Sequence, residues 1–170
     1  GPIAVGLPGD SAFINNEWRS GFINLPMSSF GIFIGGTSLY RDPQQGVYAG
    51  TLEVYNCMKG LFFNGSPCIN PQNSQITKYQ LDGNPVNHTG WYEGPGWPQG
   101  PPPGDRRGIM SSGSTTFAAG DTQEVVIAIF IAKGTSNINS VTVLNQKAQQ
   151  IQNFYGAFVP NIVSVDDDFT

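Results

Sequence analysis

The chain has 170 residues, 12% of them charged, with 22 Gly, 13 Pro and a net charge of −4. That length sustains one domain with its own core, and the Gly and Pro content favours short strands joined by turns over long helical bundles. Arg106-Arg107 is the one adjacent basic pair, which excludes a nucleic-acid binder, and no apolar run reaches the roughly 20 residues of a membrane-spanning helix.

At the start, Gly1-Pro2-Ile3-Ala4-Val5 reads either as an ordinary first strand or as an extended arm that adds to the sheet edge of another chain. Short apolar runs bounded by Gly, Pro, Asn or Asp predict strands over Ala12–Trp18, Ser29–Ile34, Ile76–Leu81, Ser114–Ala118 and Phe158–Val165. The run Glu124–Ala132, EVVIAIFIA, predicts a core strand buried on both faces, launched by the turn Ala119-Gly120-Asp121-Thr122. Two segments carry a helical period. Over about 47–61, Tyr48, Leu52, Tyr55 and Met58, with Phe62 beyond, fall on one stripe, although Gly50 and Gly60 weaken the segment by about 1 kcal/mol each. Over about 140–155, Val141, Leu144, Ala148, Ile151 and Tyr155 share a face, with Asn139 or Ser140 as N-cap and Gly156 as the stop. The expected fold is α+β: a mostly antiparallel, sandwich-like β core with both amphipathic helices packed on it. Residues 1–165 then form a single extracellular β-rich domain, and 166–170 an acidic tail or linker.

Cys57 and Cys68, the only cysteines, flank a short loop and form either a disulfide or two buried thiols. Asn64 and Asn87 head Asn-X-Ser/Thr triplets, which mark exposed loops and candidate glycosylation acceptors. The sequence HTGWYEGPGWPQGPPPGDRR, residues 88–107, is half Pro and Gly yet holds Trp91, Tyr92 and Trp97, so it predicts an ordered loop. Those rings either stack on a sugar or cover a sheet edge or neighbouring subunit, while Asp105, Arg106 and Arg107 either pin the loop to the sheet or recognise an anionic or sugar ligand.

Several sequence blocks together resemble interior regions of large secreted surface proteins of Bacteroidetes-like and Ignavibacteria-like bacteria. They are PMSSFGIFI, DPQQGVYAGTLEVYNCMKGL and FNGSP between Pro26 and Pro67, then DGNPVNHTGW, PPPGDRRGIMSSG and GDTQEVVIAI. The sequence departs from that pattern at Ser114, where SSGPF is usual. The resemblance implies an interior piece of a cargo of the type IX secretion route and carries no enzymatic role.

Catalytic readings find little support in the residue pattern. His88, the only histidine, has no Gly-X-Ser-X-Gly elbow to serve, since Ser111 and Ser112 lack it. Glu17, Glu53, Glu93 and Asp105 supply acids for a glycosidase, but no spacing selects a pair. Two Cys and one His do not make a zinc site, and Asp166, Asp167 and Asp168 lack calcium-loop spacing, so no cofactor is expected. The expectation is a non-catalytic, self-associating structural module of the cell surface. Its expected partners are copies of itself or other surface components; the alternatives are a carbohydrate-binding module and a hydrolase.

Overall fold

The structure is a computed structural model and describes residues 3–5, 9, 11–14, 17–114, 116, 118–120 and 127–158. These divide into two compact units: residues 1–26 together with 113–170, and residues 27–112. Among the described residues the architecture is α+β, with two helices and four two-stranded antiparallel ladders that do not close a sandwich.

In the first unit, β1 (Ile3–Val5) pairs with β4 (Phe22–Asn24) of the same chain. Residues 3–5 therefore form a strand of their own unit in this structure, as the first of the two readings of this segment has it. The run expected as one strand over 12–18 is instead a hairpin of β2 (Ser11–Ile14) and β3 (Glu17–Ser20), with Ile14 opposite Glu17 and Asn15-Asn16 between them in sequence. Cross-strand partners Phe13 and Trp18 meet edge to face at 5.5 Å, a contact that favours the antiparallel pairing.

Helix α2 (Asn137–Phe158) begins three residues before the expected start and runs past Gly156. Its cap is Ser136, whose Oγ accepts from the Asn139 amide at 3.1 Å. Asn139 and Ser140, read as caps from sequence, lie inside the first turn and reach back, Asn139 Oδ1 to the Thr135 amide and Ser140 Oγ to the Gly134 amide. The expected core strand is overturned over its described part: residues 127–132 belong to no strand, and Ile127, Ile129 and Ile131 are exposed. An apolar β-branched run needs a neighbouring strand, and none among the described residues pairs with it. Residues 124–126, 159–165 and the acidic tail lie outside the described residues, and no strand is present over the described part of 114–118.

The second unit is built around β5 (Met27–Ile34), close to the expected 29–34 strand, paired with β8 (Arg106–Ser112). On one face of β5, Ile32 and Ile34 form a core with Phe62, Cys68, Trp91 and Trp97, against which Phe30, Tyr40 and Leu81 pack. The strand edge away from β8 is also occupied. Phe30 donates to the Lys78 carbonyl and accepts from the Gln80 amide, both at 2.9 Å, the Ile32 amide donates to Gln80 Oε1 at 2.8 Å, and the Ile34 amide donates to the Tyr40 carbonyl at 2.7 Å. A buried side-chain amide thus replaces a strand carbonyl in the ladder. Of the expected 76–81 strand, Ile76–Thr77 forms β7, paired with β6 (Cys68–Ile69), and Tyr79 bridges Phe30 in parallel.

Helix α1 (Tyr48–Met58) ends earlier than the period implied because Gly60 is its terminator and not an interior weak point. With φ at +79°, Gly60 donates to the Cys57 carbonyl and Leu61 to that of Asn56, the paired bonds that close a helix C-terminus. Gly50 is required for a different reason: a β-carbon there would collide with the Gln44 backbone carbonyl.

Candidate functional site

The aromatic loop packs inward. Trp91 is 0% exposed and Tyr92 and Trp97 are buried. Trp97 meets both Trp91 (5.2 Å) and Tyr40 (5.3 Å) edge to face, and Tyr40 meets Phe62 at 5.2 Å, so the loop contributes to the core of its unit. Its rings offer no stacking face for a sugar in this arrangement. A single 3-10 turn at Gly94–Gly96 separates the aromatic pair from Trp97, and Gln72 Nε2 donates to the Gly96 carbonyl.

Arg106 ties this loop to β8. Its guanidinium pairs with Glu93 and donates to the Pro102 carbonyl at 2.8 Å. Neighbouring Arg107 pairs with Asp42 and Asp105, each at 2.9 Å. Arg41 holds Glu53 of α1 through two bonds of 2.6 and 3.1 Å and lies over the Phe63 ring. Glu53 also accepts from the Gln44 amide at 2.7 Å, and the Arg41 contact, followed by this backbone bond, holds its carboxyl below the usual range. Asp82 accepts from Asn70. Each carboxylate of residues 27–112 therefore has a hydrogen-bonding or charged partner, and none is paired with a second carboxylate. His88 Nδ1 lies 3.2 Å from the Tyr92 hydroxyl, whereas Ser111 Oγ is buried without a partner; the two are not brought together.

Cys57 and Cys68 are free and buried in this structure, the arrangement of the second of the two readings the sequence leaves open. Cys68 sits among Phe62, Trp91 and Trp97, where desolvation pushes its pKa up to about 11, with Gln80 acting in the opposite direction. Desolvation likewise raises Cys57, and Tyr40 is pushed up to about 12 by burial and the nearby Cys68. Asn64 is exposed at a turn in which its Oδ1 accepts from the amide and hydroxyl of Ser66, and Asn87 is exposed beside His88, itself at φ 54°. Among the described residues no group of three His, Cys, Asp or Glu side chains is placed to hold a metal, and no helix is long and apolar enough to cross a membrane.

The main departure from the sequence reading is α1. It buries Gly50 and Cys57 and turns the expected core stripe outward: Tyr48 is 78% exposed, and Leu52, Tyr55 and Met58 are exposed with it. Of the stripe, only Phe62, beyond the helix, enters the core. Tyr55 and Met58 of the stripe, with Val54, Val47 and the preceding loop from Gln44, line an open, mostly apolar groove of about 500 Å³. Sequence period located this face but not its direction. The outward orientation follows from Gly50, whose missing side chain lets the Gln44 carbonyl approach, and from the Arg41 bond to Glu53.

No protein-family model matches the chain, and neither does any curated protein or solved structure.

Proposed function

We propose that the chain is a non-catalytic structural and interaction module of a bacterial cell surface, associating with copies of itself. The observation that carries this reading is the outward apolar stripe of α1, where Tyr48, Leu52, Tyr55 and Met58 stand exposed together with Val54 and with Val47 just before the helix. Contiguous apolar patches of this kind, rimmed by polar residues such as Gln44 and Gln45, mark interaction sites. A partner strand would also extend the two-stranded ladders toward the sandwich-like core anticipated from sequence.

Sedimentation velocity over rising protein concentration tests the reading. The wild type is expected to associate, and the double variant Leu52→Glu/Tyr55→Glu to need at least tenfold more protein to do so, with helix content unchanged because both positions are exposed. A wild type that remains monomeric at millimolar concentration would sink the proposal.

A further inference from the structure

The Pro-Gly loop turns its aromatic rings into the core and leaves its prolines outside. Pro102, Pro103, Gly104 and Asp105 are exposed, the pyrrolidine rings fix φ, and Arg106 donates to the Pro102 carbonyl at 2.8 Å. Residues 101–105 therefore form a stiff ridge whose docking costs little further ordering. Its end is acidic: Asp42 and Asp105, the latter 67% exposed, share the one guanidinium of Arg107, which leaves a negative charge in excess.

The α1 groove complements this ridge. A second cavity of about 380 Å³, floored by Phe33, Val54 and Ile109, shares Gln44, Gln45 and Val54 with the first, so the two run together as one trough. Tyr55 stands in its wall with Lys59 Nζ over the ring at 4.6 Å, and among the described residues Lys59 has no carboxylate partner. Gln44 and Gln45 are exposed and offer side-chain amide donors to backbone carbonyls. An apolar trough with an aromatic wall and such donors is suited to a proline-rich segment. Arg107 lines the second cavity and also holds Asp105, so ridge and trough lie side by side on the unit of residues 27–112.

We propose that the occupant of the α1 groove is the Pro101–Pro103 ridge of a second copy of this chain, its Asp105 meeting Lys59 of the first. Charge sets the direction of the ridge. With Asp105 at the Lys59 end, opposite charges meet, whereas the reverse order sets Asp105 beside Asp42. Because ridge and trough adjoin, a twofold axis makes the exchange reciprocal, each copy giving its prolines and receiving those of the other.

This inference rests on the self-association proposed above, and the experiment separates the two. Sedimentation velocity compares the wild type with Pro102→Ser/Pro103→Ser, Lys59→Glu, Asp105→Lys and the double variant Lys59→Glu/Asp105→Lys. The ridge variant is expected to need about tenfold more protein to associate, with tryptophan emission unchanged. Each single charge reversal is expected to weaken association about threefold, and the double variant to recover it. Wild-type association in the ridge variant, or single reversals that the double variant does not rescue, overturns ridge docking while leaving the α1 surface standing. A monomeric wild type overturns both. Should the ridge variant fail to fold, a carbodiimide decides on the wild type. It joins the Lys59 amine to the Asp105 carboxyl as an amide and takes up the water lost as a urea. That cross-link between isotopically light and heavy copies supports the dimer, and its absence overturns it.

Discussion

Gln80 shows how one side chain takes over a backbone role. Its Oε1 accepts the Ile32 amide at the edge of β5, so a buried side-chain oxygen stands where a strand carbonyl would. Replacing it by Leu leaves the Ile32 N–H without an acceptor in a buried site, which costs about 1–3 kcal/mol; a urea denaturation series on Gln80→Leu checks the value. The two thiols make a second residue-scale prediction. A raised pKa keeps them protonated, so Cys57 and Cys68 are expected to react slowly with a maleimide in the native protein and rapidly once it is unfolded in denaturant. For Cys68 the stability linked to this shift is fully present below its ordinary value of 9.0 and is lost as pH rises through about 11. The sequence left the cysteines open between a disulfide and two buried thiols, and nothing in the sequence KYQLDG distinguishes Gln80 from a surface glutamine.

At the scale of elements, sequence period located both helices and β5 because each depends mainly on local pattern and on turn residues at its ends. It misread the environment of α1 and of residues 127–132. Period reports which side chains share a face; which face turns inward is set by contacts distant in sequence, here the Gln44 carbonyl against Gly50 and Arg41 on Glu53. That ion pair sets a pH dependence. Glu53 has a depressed pKa, so its contribution to holding α1 against residues 41–44 is present above the ordinary value of 4.5 and is lost as pH falls through the lower native one. Loss of protection of the Gln44 amide in hydrogen exchange is expected in that acid window, and Glu53→Gln is expected to show it already at neutral pH. The aromatic loop was read correctly as ordered but with its direction open. The Trp91–Trp97–Tyr40 contacts turn it inward, with Arg106 fastening its two limbs to β8.

For the whole molecule, symmetric association through the α1 surface alone closes as a twofold dimer and does not propagate into a polymer. The division into two units was not read from the sequence, because no linker-like stretch separates them, although 14 of the 22 Gly and 9 of the 13 Pro fall in residues 27–112. Pairing of Met27 with Ser112 bears on assembly of the chain itself. Once β5 and β8 have joined, everything from 27 to 112 is a closed excursion whose two ends leave side by side, and the residues before and after it behave as if joined by a short connection. The entropic cost of closing a loop grows with its length, so this ladder shortens the search that the flanking segments must make. The residues that begin and end the inserted unit therefore act as a kinetic clasp for the other, and the inner unit is expected to fold first, with its amides protected earlier in pulsed hydrogen exchange.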